Sequence, residues 1–327
     1  MSETTTLPRP ALTGKPATAL RLLRRILSRI VAGAILLWAV LTLVFFTLHG
    51  IPGNIARMLA GAEEFTPEIE AAITREWGLD QPILNQYLDF VGRLLVGDFG
   101  MSYVQRRPVF DVVGEQLPHT VSLALAAGIL GVGVSIVLAL LVANSTSTLR
   151  SFTSGIQLVL ASVPTFWIGL LLLLGFSFTL RLFPVAGAEG WQSLVLPAIT
   201  LSLPVVGLLG QVLRESFERT LSEPFIVTVR SRGVSESRLT LVHTLRHALV
   251  PAITIAGSVI GGLLGGTVIT ETVFGRPGLG SVTFRAVVQK DIPVVLVVVL
   301  LAAALYIVIS TLLDIIYVFV DPRLKAN

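Results

Sequence analysis

Six apolar runs, each about as long as a membrane-spanning helix, divide the 327-residue chain. A helix needs roughly 20 apolar residues to cross the hydrocarbon core of a bilayer. The runs cover residues 30–48, 120–142, 155–180, 194–213, 249–270 and 293–319. Only 13% of all residues are charged, which is too few for a soluble globular protein. The sequence therefore predicts an all-α, polytopic membrane protein with six transmembrane helices.

The basic residues predict how these helices are oriented. With the amino terminus inside the cell, fifteen of the 24 lysine and arginine residues fall in inner segments, and most acidic residues fall in outer ones. Cytoplasmic loops of membrane proteins carry such an excess of positive charge. We therefore expect a multi-pass membrane protein with both termini in the cytoplasm. Membrane orientation explains the basic composition better than nucleic-acid binding does.

The segments outside the runs differ in length and composition. Residues 1–20 are rich in Thr and Pro and are expected to form a disordered cytoplasmic tail. The transmembrane domain then covers residues 21–320, with an extracytoplasmic cap at 49–119 and a cytoplasmic loop at 214–248. Residues 321–327 are expected to form a second cytoplasmic tail.

Groups that could carry out chemistry are scarce in this sequence. Asp314 is the exception within the runs, and a helix-packing role is the favoured interpretation over an ion-binding one. His243 and His247 are four residues apart without an acidic partner, so no metal site is expected. The chain has no cysteine and no glycine-rich phosphate-binding motif with its lysine. We therefore predict that it is not an enzyme and binds no cofactor itself.

The loop between the fourth and fifth runs has the pattern of two short helices joined at Gly233. Pro224 suits the first turn of one helix, and Gly233 suits the left-handed position beyond its end. Ser235 and Glu236 suit the start of a second helix. An apolar stripe recurs there at every fourth residue: Leu241, Leu245 and Leu249. An ordinary amphipathic loop held by anionic lipid is the alternative interpretation.

Short motifs in this loop and beyond it follow one another in a specific order. The loop contains Arg230-Ser231-Arg232-Gly233, then Ser235, His243-Thr244-Leu245-Arg246 and Ala248-Leu249-Val250-Pro251. Elsewhere the landmarks are Gly97-Asp98-Phe99-Gly100-Met101-Ser102, Pro164-Thr165-Phe166, Glu271 with Phe274, Pro277-Gly278-Leu279-Gly280 and Asp321-Pro322-Arg323. In this order they resemble the permeases of ABC importers, in the form found in the dipeptide, oligopeptide and nickel branch.

This resemblance implies a fold, a set of partners and two sites. The fold would be that of a type I ABC importer permease. The partners would be a homologous second permease subunit, two ABC ATPase subunits that bind ATP and Mg, and an extracytoplasmic solute-binding protein. Contact with the ATPase would involve Thr228, Arg230, Ser231, Arg232, Gly233, Val234 and Ser235. The outer gate or the docking surface for the binding protein would involve Glu271, Arg276, Pro277, Gly278, Leu279 and Gly280.

The cargo is the least determined part of this interpretation. Peptides are the expected cargo of the branch, with nickel chelates, glutathione, opines and sugars as alternatives. An ion-coupled secondary transporter is a further alternative from a different class. Such a transporter needs carboxylates or broken helices near the middle of the bilayer, and the runs offer no evident proton relay.

Overall fold

The computed structural model describes residues 15–50, 66–76, 78–143 and 145–320, and most of these residues are helical. The α-helices, numbered in chain order, are α1 (Lys15–Gly50), α2 (Pro67–Glu76), α3 (Ile83–Leu95), α4 (Val109–Gly114), α5 (Leu117–Ala143), α6 (Ser147–Ser162), α7 (Thr165–Leu172), α8 (Gln192–Leu221), α9 (Pro224–Ser231), α10 (Glu236–Arg238), α11 (Leu245–Val273), α12 (Leu279–Val288) and α13 (Ile292–Val320). Residues 15–20 of the expected disordered tail thus belong to α1. The rest of that tail and residues 321–327 lie outside the described ranges.

Five stretches of described helix are long and apolar enough to cross a membrane. They are Leu27–Thr47, Val109–Ala143, Gln192–Leu221, Ile255–Val273 and Ile292–Leu312. A sixth crossing results only if α6 is counted together with the helix that begins at Thr165. The all-α, multi-span fold class predicted from the sequence is therefore confirmed.

The third apolar run, residues 155–180, does not form one continuous helix. It is divided between Ser147–Ser162 and Thr165–Thr179, and the two parts are bent by 101°. Val163 has an extended backbone, with φ −75° and ψ 132°, and Pro164 follows it. The ring of a proline disfavours the helical conformation of the residue before it, so the helix ends at this point. Apolar length alone did not reveal this break.

Helix α8 lies at the centre of the bundle and packs against α5, α6, α7 and α11. Its side chains Leu209, Leu213 and Phe217 are buried in a cluster shared with α5 and α11. The helix continues through Pro197 and Pro204, as helices do where their neighbours compensate for the lost backbone hydrogen bond. Helix α8 therefore supports both ends of α11, where the candidate functional residues lie.

The segment between α1 and α5 is attached to α1 and α13. Tyr87 on α3 is buried, and its hydroxyl shares a 2.7 Å hydrogen bond with the hydroxyl of Thr42 on α1. Phe45 on α1 and Leu296 on α13 belong to the same apolar cluster as Tyr87. These three elements consequently form one packed unit beside the ends of α5 and α12.

Candidate functional site

A buried carboxylate organises the turn between α11 and α12, residues 274–278. Glu271, in the last turn of α11, has none of its surface exposed. Its Oε1 accepts a 2.6 Å hydrogen bond from the hydroxyl of Thr120 on α5, and its Oε2 accepts a 3.1 Å bond from the backbone N–H of Ser281. The Thr120 hydroxyl in turn accepts a 2.8 Å bond from the N–H of Leu279. One carboxylate and one hydroxyl thus join α5, α11 and α12.

Two glycines, one in this turn and one in the first turn of α12, make room for the carboxylate. A Cβ atom on Gly278 would overlap the carboxyl group of Glu271, and a Cβ on Gly280 would overlap the backbone of Val268. The backbone of Gly278 is extended, with φ 168°, a conformation that any residue can adopt. The position requires glycine because there is no space for a side chain. The sequence Pro277-Gly278-Leu279-Gly280 therefore allows the turn to wrap closely around Glu271.

Arg276 attaches the same turn to two further helices. Its backbone N–H donates a 2.8 Å bond to the carbonyl of Glu271, and its side chain is only 4% exposed. The guanidinium donates to the hydroxyls of Ser193 on α8 and Ser122 on α5, at 3.4 and 3.5 Å. Burial lowers the pKa of Arg276, and the nearby charge of Glu271 opposes that shift. Of the six residues predicted for this site, Arg276, Pro277 and Gly278 are in the turn, and Glu271, Leu279 and Gly280 are in the adjoining helical turns of α11 and α12.

The turn between α9 and α10, residues 232–235, lies beyond the opposite end of α11. Helix α9 begins with Pro224 and ends at Ser231, and Gly233 follows in the left-handed region with φ 73°. Ser235 is the N-cap residue of α10. The predicted arrangement of two helices joined at Gly233 agrees with these positions. Helix α11, whose 29 residues correspond to roughly 43 Å of helix, therefore lies between the two turns together with residues 236–244.

Most of the residues predicted for ATPase contact are exposed. Thr228, Arg230, Ser231, Arg232, Gly233 and Ser235 are exposed, and Val234 is half-buried. Arg230 forms two hydrogen bonds with Glu236 across the turn, Nε to Oε1 at 2.7 Å and Nη2 to Oε2 at 3.0 Å. This pairing raises the pKa of Arg230 and lowers that of Glu236. The turn is therefore ordered by one ion pair while its surface remains open.

The apolar stripe predicted after Ser235 lies only in part on the packed face, where Leu245 and Leu249 contact the core cluster and Leu241 does not. Leu241 is 53% exposed, and Leu245 and Leu249 are only partly buried. The buried side chains are instead those of Leu239, Thr240, Thr244 and Ala248. Residues 239–244 form a π-helix, whose wider turns shift the following residues around the helix axis. A pattern based on α-helical spacing could not anticipate that shift.

A second buried carboxylate was not predicted from the sequence. Asp291, immediately before α13, is 2% exposed and accepts hydrogen bonds from the hydroxyl of Ser102 and from the N–H groups of Tyr103 (3.0 Å) and Val104 (3.3 Å). Burial, together with the charge of Asp291, raises the pKa of Tyr103 to about 12, so the phenol stays protonated at neutral pH. Ser102 stood in a sequence motif, but its partner is 189 residues away.

The buried titratable side chains described at these turns bond to other parts of the chain. Within the part of the chain that the structure describes, no three His, Cys, Asp or Glu residues are grouped to hold a metal ion. The buried carboxylates are occupied by hydrogen bonds from the chain itself, and the exposed α9–α10 turn is free to meet another molecule. These features define a class of protein, a helical membrane protein with a buried, hydrogen-bonded turn beyond one end of a long helix and an exposed turn beyond the other.

Comparison with known families identifies the group to which the chain belongs. Residues 131–326 match the family described as the binding-protein-dependent transport system inner membrane component. Residues 22–124 match the N-terminal region of the membrane components of such systems. The chain belongs to this family, the membrane-spanning permeases of ABC importers. It is therefore a multi-pass inner-membrane translocation subunit, and ATP is bound by its partner ATPases.

Similar proteins include the glutathione transport system permease protein GsiC of Escherichia coli (strain K12) and of Shigella dysenteriae serotype 1 (strain Sd197). Each is 34% identical over 293 residues, which is 88% of this chain and 94% of the relative. Two solved structures share the fold at 16% identity and a TM-score of 0.50. The first is the MetNI methionine ABC transporter, and the match covers 65% of this chain and 98% of the matched chain. The second is an amino acid ABC transporter with histidines, and the match covers 64% of this chain and 93% of the matched chain.

Proposed function

We propose that this chain imports peptides or peptide-like solutes, such as glutathione, as one permease subunit of an ABC importer. The observation that carries the proposal is the 34% identity to the glutathione permeases over 88% of the chain. This similarity includes the region matched by the N-terminal family description as well as the main permease region. Other cargo of related transporters, including nickel chelates, opines and sugars, is tested by the uptake experiment below.

The complex that we propose contains this chain, a homologous second permease, two ATPase subunits and an extracytoplasmic solute-binding protein. The α9–α10 turn fits a groove on an ATPase because its polar side chains are exposed around Gly233. The ion pair between Arg230 and Glu236 supports this role, since it stiffens the turn without covering it. The residues in contact with the ATPase would be Thr228, Arg230, Ser231, Arg232, Gly233, Val234 and Ser235.

The α11–α12 turn would then lie at the outer gate, near the docking surface for the solute-binding protein. Its hydrogen bonds with α5 and α8 support a gating role because they connect the turn to the helices that it must move against. Closure of the ATPase pair on ATP would displace α9, and α11 would carry that displacement to the turn that holds Glu271. The result is alternating access, in which nucleotide shifts the balance between inward-open and outward-open states.

Substitution of Gly233 tests the role of the α9–α10 turn. Gly233 has a positive φ, which proline cannot adopt, whereas asparagine tolerates that region. In the purified complex, Gly233→Pro is expected to abolish most ATP-driven uptake, and Gly233→Asn is expected to retain it. If Gly233→Pro transported and hydrolysed ATP like the unchanged complex, the coupling role would be refuted.

Cysteine labelling tests the proposed orientation, because the chain has no native cysteine. A membrane-impermeant maleimide added to intact cells is expected to label Gln105→Cys. It is expected to label Ser231→Cys, which is exposed on the α9–α10 turn, only after the membrane has been opened. The reverse result would invert the topology and exclude the ATPase contact proposed for this turn.

Uptake measurements in proteoliposomes test the cargo and the energy source. The complex, supplied with its solute-binding protein, is expected to accumulate labelled peptide or glutathione only when ATP is enclosed with the ATPases. Nickel chelates, opines and sugars serve as competing solutes. Uptake that needed a proton or sodium gradient and no ATP would show that the protein is a secondary transporter.

A further inference from the structure

Thr120 connects the α11–α12 turn to a helix far away in the sequence. It lies in the first turns of α5, 151 residues before Glu271, and is 3% exposed. Its hydroxyl donates to the carboxylate of Glu271 at 2.6 Å and accepts from the N–H of Leu279 at 2.8 Å. The hydroxyl therefore donates one hydrogen bond to α11 and accepts another from α12.

This use of a threonine hydroxyl differs from that of two other buried threonines, Thr200 and Thr270. Thr200 on α8 donates to the carbonyl of Leu196, and Thr270 on α11 donates to that of Gly266, four residues earlier in each case. Such bonds follow from the geometry of one helix and hold nothing else in place. The bonds of Thr120, in contrast, exist only while α5 and the α11–α12 turn are together.

The remaining bonds of Glu271 are local to its own turn. Ser281 and Arg276 donate backbone N–H groups to Glu271 from ten and five residues further along the chain. The carboxyl group of Glu271 packs directly against Gly278. Glu271 and the α11–α12 turn are therefore expected to move as one body. Separation of α12 from α5 would keep these local bonds, but it would break both bonds of Thr120 and the longer, 3.5 Å bond from Arg276 to Ser122 on α5.

We propose that Thr120 is a positioning residue of the gate, whose hydroxyl holds α12 closed across the start of α5. Its two hydrogen bonds break each time the pathway opens at this end. The inference rests on the proposed function of the chain as an ABC importer permease. A hydrogen bond between membrane helices changes an equilibrium constant, here that between the closed and open states, by a factor of about three. Loss of both bonds therefore shifts the closed-to-open balance by about tenfold.

Thr120→Val tests this role in the complete complex of permeases, ATPases and solute-binding protein. Valine keeps the shape of the side chain and removes the hydroxyl. Nucleotide binding by the ATPases favours the outward-open state, and by reciprocity an easier opening of the outer end favours the nucleotide-bound state of the ATPases. Thr120→Val is therefore expected to raise ATP hydrolysis in the absence of the binding protein. The ratio of stimulated to unstimulated hydrolysis is expected to fall by up to about tenfold.

Two matched variants distinguish the hydroxyl from simple packing. Thr120→Ser retains the hydroxyl and is expected to restore the stimulation ratio. Thr200→Val makes the same chemical change at an equally buried position, 1% exposed, and is expected to leave the ratio unchanged. A normal ratio in Thr120→Val, or a serine variant that behaves like the valine variant, would overturn the inference.

Cysteine labelling provides a second measurement that does not depend on changing Thr120. In the otherwise cysteine-free chain, Ser281→Cys is expected to react faster with a membrane-impermeant maleimide when ATP is trapped on the ATPases. An unchanged labelling rate would show that the contact does not open. If the unchanged complex showed no stimulation by its binding protein, the proposed function itself would fail, which is a separate result.

Discussion

The two turns at the ends of α11 contain the same kinds of residue in opposite environments. Each has a glycine, a glutamate and an arginine within a few positions. At the α11–α12 turn, Glu271 is fully buried and Arg276 is 4% exposed, and both bond to other helices. At the α9–α10 turn, Arg230 and Glu236 pair with each other and remain about half exposed. The charged side chains at the α11–α12 turn are buried among other helices, whereas those at the α9–α10 turn remain accessible at the surface.

The glycines show the same difference. Gly278 is needed because a side chain would enter the space of Glu271, although its backbone is an ordinary extended one. Gly233 is needed because its φ is 73°, although nothing lies within 4 Å of a Cβ placed on it. Packing therefore limits one turn, and backbone conformation limits the other. Substitutions that add volume and substitutions that change charge should affect the two turns unequally.

Gly278→Ala is expected to have the largest effect on the folded protein. The added methyl group overlaps the buried carboxyl group of Glu271, and the neighbouring backbone is held by hydrogen bonds. Inserting an extra carbon into a packed site costs about 1–3 kcal/mol, and displacing a buried charge adds to that. The measurement is the fraction of complex that remains monodisperse after heating in detergent.

A matched control for this substitution is Gly92→Ala on α3. Gly92 is in a helix, and nothing lies within 4 Å of a Cβ placed there, so alanine is expected to be neutral or stabilising. If both variants melted at the same temperature, close packing around Glu271 would not be the reason for glycine at position 278.

Asp291→Asn is expected to have the next largest effect. It tests whether the hydrogen bonds of this second buried carboxylate, like the packing around Glu271, stabilise the folded protein. The carboxylate accepts three hydrogen bonds through its two oxygens, and an asparagine has only one accepting oxygen, so either the bond from the N–H of Tyr103 or those from Ser102 and Val104 are lost. We expect a loss of about 2 kcal/mol in stability. Thermal unfolding of the complex measures it, with the exposed Asp89→Asn on α3 as the control. Equal melting temperatures for the two variants would show that the Asp291 contacts contribute little.

The long helices were predictable because a run of about 20 apolar residues has few alternatives to crossing a membrane. The break at Val163–Pro164 has a proline as its local signal, but α8 continues through Pro197 and Pro204, so the neighbouring helices decide whether a proline ends its helix. The glycine turn at Gly233 was predictable because its signals are all local. Local signals thus explain the successful predictions, and the exceptions depend on how the elements pack.

The partners of the buried carboxylates depend on the tertiary fold. Thr120 and Glu271 are 151 positions apart, and Ser102 and Asp291 are 189 positions apart. A threonine at the start of an apolar run, or a serine within a short motif, carries no sign of its distant partner. Glu271 was recognised only as part of a motif, and the reason for the glycines beside it follows from the packing around its carboxyl group.

Glu236→Gln is expected to have the smallest effect, and it tests the exposed side of the comparison. The Arg230 guanidinium lowers the pKa of Glu236, so the ion pair is complete at neutral pH and is lost only as the pH falls through that lowered value. Exposed pairs contribute little and are screened by salt. The melting temperature of the complex should therefore match that of the unchanged protein between mildly acidic and neutral pH, at low and high ionic strength. A loss as large as that expected for Asp291→Asn would mean that the α9–α10 turn is held internally, and it would weaken the assignment of this turn to a partner.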